Sequence, residues 1–314
     1  MSNEMIWAYL IKLGTVMEGE VTSGDVKNCK NTKPLDCDDA VWREVTDNLA
    51  KTDCNLLLID VHEGMQYETH PELAVPGSWS KQKLSDEISR LKSMGFEVIP
   101  KLNFSATHDA WLGMYSRMVS TPTYYQVCKD LIDEVAEVFG NPRLFHIGMD
   151  EEVHWVQSML DMCVVRNSKL FWHDFYYLAG LVEAHGARPW AWADAVWHTP
   201  EKEKDFLENM TKDVLLSNWY YGDYTETGWY EDIYRGYEVL TEHGFDQLPN
   251  CSNYRCDDNM VCTVERYTNK IAPEHLKGYM IAPWSHTTPE GRQKLMDGCR
   301  LLQDGINAYR KIKG

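Results

Sequence analysis

Residues 144–152 read Leu-Phe-His-Ile-Gly-Met-Asp-Glu-Glu, and this stretch decides how the rest of the sequence is interpreted. Apolar residues alternate with His146 and Gly148 before three acids follow together. Such alternation predicts a buried strand that emerges at the rim of a sheet. Neighbouring buried acids are costly to ionise, so a chain that places them there commonly holds a proton for transfer or binds a cation. Alternatively, Glu151 and Glu152 are first-turn acids of a following helix, where the helix dipole favours them.

Strand-like and helix-like segments alternate on both sides of this stretch. Besides the strand that opens it, the sequence predicts strands at residues 6–12, 55–61, 96–102, 189–195, 214–219, 245–248 and 278–284. Helices are predicted at residues 38–50, 80–94, 122–140, 169–185, 201–210, 229–243, 260–269 and 291–312. Eight strand–helix pairs predict a single (β/α)8 TIM barrel over residues 1–314. A doubly wound open sheet is the alternative, but no Gly-x-Gly-x-x-Gly turn follows the first strand.

Composition excludes several classes of function. The net charge of −17 argues against binding to nucleic acid or to anionic membranes, which select basic surfaces. No apolar run approaches the roughly 18 to 20 residues that cross a bilayer, and no basic segment precedes the short apolar run at residues 5–10. We therefore expect a cytoplasmic protein whose nine cysteines are reduced thiols. Cys251, Cys256 and Cys262 cluster, but without a Cys-x-x-Cys pair they do not predict a zinc site.

The barrel prediction locates the candidate functional residues, because active groups of such barrels lie where strands end. The residues at these ends are His62, Glu63, Asn103, His108, Asp150, Glu151, Trp192, Asp194, Trp219, Tyr220, Tyr221, Tyr254, Asp257, Trp284 and His286. Indoles stack on the apolar faces of a pyranose, while acids and imidazoles hydrogen-bond its hydroxyls. The combination predicts a sugar site.

Several motifs in this order resemble those of family 20 glycoside hydrolases, the β-N-acetylhexosaminidases. Residues 146–151 match the family's His-x-Gly-Gly-Asp-Glu except at Met149, and residues 95–100 resemble its Gly-Ile-x-Val-Ile-Pro strand. Residues 192–194 resemble its Trp-x-Asp, His108 stands where its Pro-Gly-His histidine lies, and further matches are Trp219 and Trp284.

The resemblance implies an exo-acting, retaining glycosidase that cleaves a terminal 2-acetamido sugar without a cofactor or metal. In that family the substrate's acetamido oxygen is the nucleophile, so no second enzyme carboxylate is needed. Glu151 would then be the general acid and base, and Asp150 would orient the acetamido group. The resemblance further implies that Trp192, Trp219 and Trp284 wall the pocket and that Tyr254, or else Tyr221, holds the acetamido oxygen.

The sequence departs from the family at its hydroxyl-binding positions. Pro-Lys-Leu-Asn at residues 100–103 replaces Pro-Glu-(Ile/Phe)-Asp, His286 replaces the acid of Trp-(Ser/Thr)-Glu, and the strand at residues 6–12 lacks an expected arginine. Our hypothesis is that the terminal sugar, or a modification of it, differs from plain N-acetylglucosamine. Small glycosides or oligosaccharides are the expected substrates.

Three alternatives stay open. The first is a glycosidase that acts on a sugar without an acetamido group and uses a protein carboxylate as nucleophile. The second is a metal-dependent barrel hydrolase or isomerase in which His62, Glu63 or His70 joins Asp150 or Glu151, although neither His-x-His nor His-Glu-x-x-His occurs. The third is a sugar-binding barrel without catalysis. His146 and His108 are both candidate contacts of the sugar, and both also have a structural interpretation, as partners of neighbouring acids.

Overall fold

A computed structural model describes residues 5–17 and 34–314, and its centre is a ring of eight strands. The strands are β1 (Ile6–Lys12), β2 (Leu56–Asp60), β3 (Glu97–Lys101), β4 (Leu144–His146), β5 (Arg188–Trp192), β6 (Leu215–Ser217), β7 (Asn250–Cys251) and β8 (Gly278–Ile281). All pair in parallel, in the order β6-β5-β4-β3-β2-β1-β8-β7. Bridges from Leu216 to Gln247 and from Trp219 to Asn250 complete the ring between β6 and β7. The predicted (β/α)8 barrel is confirmed.

Helices connect successive strands. They are α1 (Asp39–Leu49), α2 (Lys81–Ser93), α3 (Pro122–Val138), α4 (His154–Gln157), α5 (Lys169–Ala184), α6 (Ala195–His198), α7 (Pro200–Asn209), α8 (Trp229–Glu242), α9 (Asn259–Tyr267) and α10 (Arg292–Lys313). Short 3₁₀ turns occur at His62–Gly64, Pro71–Leu73 and Ala110–Met118. Side-chain caps define several starts: Asp38, Ser80 and Thr121 each accept a hydrogen bond from the first turn of their helix. None of these helices in the described part of the chain has the length and apolarity to span a membrane.

Alternation along the strands divides the core into two layers. In β1, Ala8 and Leu10 point into the barrel, where they pack with residues such as Leu58 and Met280. Tyr9 and Ile11 belong to the larger cluster between the strands and the surrounding helices. This period of two follows from the opposite direction of successive side chains in a strand. The interior is therefore filled with side chains, and a ligand can enter only at a mouth of the barrel.

The predicted seventh strand was placed too early in the chain. Residues 245–248 do not form a strand; Gln247 makes only single bridges to Leu216 and Leu276, and the strand lies at Asn250–Cys251. Pro249 separates the two segments and has no N–H to donate to a ladder. The short helices α4 and α6 were not predicted, because four-residue helices carry no periodic signal.

The cysteines of the described residues are free. They are Cys37, Cys54, Cys128, Cys163, Cys251, Cys256, Cys262 and Cys299. Cys29, the ninth, lies outside the described residues. Burial raises the pKa of Cys251 to about 12, so this thiol is held in its neutral form.

Candidate active site at the barrel mouth

A cavity of about 430 Å³ opens at the end of the barrel where the strands terminate. Its lining residues are Lys12, Met17, His108, Asp150, Glu151, Trp192, Trp219, Tyr220, Tyr221, Trp229, Tyr230, Ile233, Tyr254, Arg255 and Trp284. Nine residues predicted from sequence are among them: His108, Asp150, Glu151, Trp192, Trp219, Tyr220, Tyr221, Tyr254 and Trp284. The predicted contacts His62, Asn103, His146, Asp194 and His286 do not line it.

The backbone that presents the two acids has an unusual conformation, with positive φ at Gly148 (75°), Met149 (74°) and Glu151 (57°). The Asn103 side chain stabilises this turn: its Oδ1 accepts hydrogen bonds from Met149 N (3.2 Å) and Ser105 N (3.0 Å). A Cβ on Gly148 would lie 1.9 Å from Asn103 Oδ1. Glycine is therefore required here both by the left-handed conformation and by the close approach of the amide.

Asp150 is buried, with 8% of its surface exposed. Asn103 Nδ2 donates to its Oδ1 at 2.8 Å, and His108 Nε2 lies 3.4 Å from its Oδ2. Burial raises the pKa of Asp150 to about 6; the imidazole of His108 acts to lower it, and the carboxylates of Asp194 and Glu151 act to raise it. Asp150 thus titrates close to neutral pH.

Glu151 faces the cavity, with its side chain 25% exposed. Its Oε2 lies 3.1 Å from His108 Nε2, so one imidazole contacts both acids. Its backbone N donates to Asp194 Oδ2 at 2.8 Å, and that same oxygen lies 2.7 Å from His198 Nε2. Asp194, expected to contact the sugar, here positions the backbone of Glu151.

The third acid of the stretch has a structural contact. Glu152 is buried and forms an ion pair with Arg166, whose Nη2 lies 2.6 Å from its Oε1. The same guanidinium binds Asp174 at 2.9 Å. Because α4 begins only at His154, neither Glu151 nor Glu152 is a first-turn helical acid, and that alternative is wrong. Arg166 was not identified from the sequence, since it lies in an irregular segment without periodicity.

Aromatic side chains form the walls of the cavity. The rings of Trp192 and Trp284 have centroids 5.9 Å apart, and Trp219 stacks on Tyr221 at 5.3 Å. Among the described residues, Trp192 Nε1 is buried without a hydrogen-bond partner. Tyr254 lies at the rim and is 62% exposed. The cavity therefore offers flat apolar faces together with an unused donor.

The remaining predicted residues have contacts below or beside the cavity. His62 Nε2 lies 2.9 Å from Asp60 Oδ1, inside the barrel, and burial lowers the pKa of His62 to about 4. His146 packs between Trp190 and Trp192, and its Nδ1 accepts from Gly148 N at 3.0 Å. His286 Nδ1 lies 2.6 Å from Asp36 Oδ2. For these three residues a direct sugar contact is not supported by the geometry of this cavity.

Lys12 is one of several lining residues that were not predicted from the sequence. It is the last residue of β1, so the same rule that placed candidates at strand ends applied to it. Arg255 was also missed; it pairs with Glu226 at 2.5 Å.

Three donor groups at the cavity have the spacing of a cation site. Ligand atoms of His108, Asp150 and Glu151 lie within 4.8 Å of one another. The other predicted metal ligands lie elsewhere: Glu63 accepts from Thr15 N, and His70 lies beside Glu72 and Asp130. A metal site would therefore differ from the one the sequence suggested.

Comparisons with known proteins show that this chain is similar in fold to several solved structures. No family model matches the chain, and no curated protein sequence matches it. Among solved structures, a Flavobacterium johnsoniae chitobiase matches with a TM-score of 0.64 and 16% identity, over 90% of this chain and 49% of its own. Dispersin B matches with a TM-score of 0.60 and 16% identity, over 87% and 96%. The family 20 β-N-acetylhexosaminidase of Streptomyces coelicolor A3(2) matches with a TM-score of 0.63 and 12% identity, over 98% and 69%.

The chain spans about half the length of the Flavobacterium johnsoniae chitobiase. At these identities the likeness concerns the fold, and the chemistry must be argued from the cavity itself.

Proposed function

We propose that this protein is an exo-acting, retaining glycoside hydrolase that cleaves a terminal 2-acetamido sugar with assistance from the substrate. Glu151 is the general acid and base, and Asp150 orients the acetamido group. The fold likeness to family 20 hexosaminidases supports this proposal. The arrangement of acids in the cavity carries it.

The described lining of the cavity contains two acids, Asp150 and Glu151, and they are consecutive residues that follow one strand. A retaining enzyme with a protein nucleophile places two carboxyl groups about 5 to 5.5 Å apart on either side of the scissile bond. No acid of the described lining stands on the wall that faces this pair. A nucleophile supplied by the substrate removes the need for one.

The proposed proton path begins at Glu151. Its carboxylic acid donates the proton to the glycosidic oxygen as the bond to the anomeric carbon breaks, and the acetamido oxygen forms a bond to that carbon. The resulting carboxylate then takes a proton from the water that opens the cyclic intermediate. Both steps need a carboxyl group that faces the substrate, and Glu151 lines the cavity.

Asp150 accepts a hydrogen bond from the acetamido N–H in this scheme, which increases the negative charge on the acetamido oxygen and stabilises the positive charge of the cyclic intermediate. Tyr221 is the proposed donor to the acetamido oxygen, in preference to the exposed Tyr254. Burial, with added repulsion from Glu151 and Asp150, raises the pKa of Tyr221 well above its usual range, so its hydroxyl stays protonated.

The test is turnover of aryl and alkyl glycosides by Glu151→Gln, with Glu208→Gln on the exposed face of α7 as the control. We expect kcat for alkyl 2-acetamido glycosides to fall by about 10²- to 10⁴-fold, because these leaving groups need a proton. Dinitrophenyl glycosides, whose leaving group needs none, should lose much less. Unchanged turnover of alkyl glycosides would eliminate Glu151 as the acid, and sugar binding without any turnover would indicate a binding protein.

The donor set of His108, Asp150 and Glu151 supports a second candidate, a metal-dependent hydrolase. Chelation separates the two candidates. The glycosidase should keep its kcat/KM after treatment with EDTA, whereas a metal enzyme should lose activity and regain it with one divalent cation.

A further inference from the structure

The ammonium group of Lys12 is buried at the cavity and has no acidic partner among the described residues. Lys12 is 7% exposed, and its Nζ donates to the thioether of Met17 at 3.1 Å. The centroid of the Trp284 ring lies 5.8 Å away. No carboxylate of the described residues forms an ion pair with Lys12; the nearby Asp60 is bound by Lys101 at 2.8 Å. A thioether is a weak acceptor and a ring face gives modest stabilisation, so most of the bonding capacity of this charge is unused.

Two other basic side chains of the cavity lie against carboxylates. Arg255 is paired with Glu226, and His108 lies against both Asp150 and Glu151. Burying a charge is costly unless it is paired, and proteins that retain such a group commonly use it to bind a ligand. Lys12 thus differs from these two lining residues in having no ion-pair partner among the residues that the structure describes.

The order of the strands around the barrel shows where a ligand group that pairs with Lys12 would lie. β8 stands four strands from β4 in the ring, and β1 is its neighbour, so Lys12 and Trp284 occupy the side of the mouth opposite the acids. With the anomeric carbon at Asp150 and Glu151, a terminal sugar in this cavity directs its far edge, which carries the non-reducing hydroxyl positions, toward Lys12.

We infer that Lys12 binds an anionic substituent (a sulfate, a phosphate ester or a carboxylate) on the non-reducing edge of the terminal sugar. The orientation of the sugar in this inference rests on the proposed function. A neutral hydroxyl would accept one hydrogen bond but leave the buried charge uncompensated, whereas an anion supplies both acceptors and charge.

The experiment compares 4-nitrophenyl 2-acetamido glycosides that are unsubstituted, sulfated or phosphorylated at C6, and sulfated at C4. Wild type, Lys12→Met, Lys12→Arg and the surface control Lys204→Met are assayed with each. We expect wild-type kcat/KM for at least one anionic substrate to exceed that for the neutral one about tenfold or more, as for one charge-assisted hydrogen bond. Lys12→Met should reduce this ratio to about one, Lys12→Arg should retain part of it, and Lys204→Met should leave it unchanged.

A binding measurement makes the inference independent of turnover. Calorimetry with the 6-sulfated and the unsubstituted 2-acetamido monosaccharides should show tighter binding of the sulfated sugar to wild type, and this preference should disappear in Lys12→Met. Equal values for charged and neutral sugars, or a preference that survives Lys12→Met, would overturn the inference. If no glycoside is hydrolysed, the proposed function fails, and the binding data alone decide the role of Lys12.

Discussion

The two sides of the barrel mouth differ in which groups hold their charged side chains. On the carboxylate side (Asn103, His108, Asp150, Glu151 and Asp194), the amide of Asn103 and the carboxylate of Asp194 fix the acids through hydrogen bonds of 2.8 Å. On the cation side (Lys12, Met17 and Trp284), the ammonium has a thioether as its hydrogen-bond acceptor. The acids proposed to act in catalysis are held by hydrogen bonds before the substrate binds. The ammonium group of Lys12, proposed to recognise the sugar, has no ion-pair partner among the described residues, and a ligand would supply one.

This difference has a physical reason. Acids that transfer protons or orient a reacting group must be held within fractions of an ångström, and bonds from the scaffold supply that precision. A recognition group gains selectivity when its buried charge is compensated only by the correct ligand, because ligands without the anion leave it unpaired.

The largest expected effect comes from disrupting the carboxylate side at Gly148. In Gly148→Ala the new methyl group would meet Asn103 Oδ1 at 1.9 Å and Asn103 Cα at 2.8 Å, and the φ of 75° is unfavourable for alanine. We expect the free energy of unfolding to fall by about 3 kcal/mol, from overpacking and left-handed strain together. We also expect kcat/KM to fall by at least about 100-fold, because displacing Asn103 releases Asp150. Urea unfolding and an aryl glycoside assay measure the two quantities.

Gly180→Ala is the matched control for this substitution. Gly180 lies in α5 and has no heavy atom within 4 Å of the added Cβ. We expect this variant to be more stable by about 0.5 to 1 kcal/mol, since alanine is the better helix former, with unchanged activity. A Gly148→Ala variant as active and stable as Gly180→Ala would show that the acids do not depend on the Asn103 contact.

A smaller effect is expected in the pH dependence of stability, which tests how the carboxylate side holds Asp150. The pKa of Asp150 is raised from 3.8 to about 6 in the folded protein, so the folded state binds its proton more tightly than the unfolded state does. Ionised Asp150 therefore lowers stability above pH 6, and this cost disappears as the pH falls through 6 toward 3.8. We expect Asp150→Asn to be more stable than wild type by about 3 kcal/mol at pH 8, and by less than about 1 kcal/mol at pH 4.

The ionisation of Asp150 should also appear in the pH dependence of activity. Because Asp150 must be ionised to accept the acetamido N–H, wild-type kcat/KM should fall about tenfold per pH unit below an acid limb near pH 6. Asp150→Asn should lose this limb along with most of its activity. A wild-type profile without a limb between pH 5 and 7, or a variant less stable than wild type at pH 8, would contradict the assignment.

Sequence reasoning located most of the barrel because its signals are local. The buried runs of β2 and β3 and the caps at Ser80 and Thr121 are visible in short windows of sequence. The seventh strand was misplaced because it is only two residues long: it pairs with β8 at Asn250 and Cys251, and its contacts with β6 are single bridges on either side of Pro249.

Only those site residues that lie at or directly after the end of a strand could be predicted from the sequence. Asp150, Glu151 and the indoles follow their strands directly, and they line the cavity. The contact between Asn103 and Gly148, and the ion pair of Arg166 with Glu152, depend on how separate loops meet in space, which no local pattern encodes. Lys12 could have been found, since it ends β1, but the absence of an acidic partner among the described residues is visible only in three dimensions.

Binding of a thiazoline that mimics the cyclised acetamido intermediate tests the central claim most directly. The proposed mechanism predicts that wild type binds the thiazoline at least about 100-fold more tightly than the parent 2-acetamido sugar, as expected for an analogue of a reaction intermediate. Asp150→Asn should lose most of that advantage. Hydrolysis of glycosides that lack an acetamido group, together with thiazoline binding no tighter than that of the parent sugar, would contradict it.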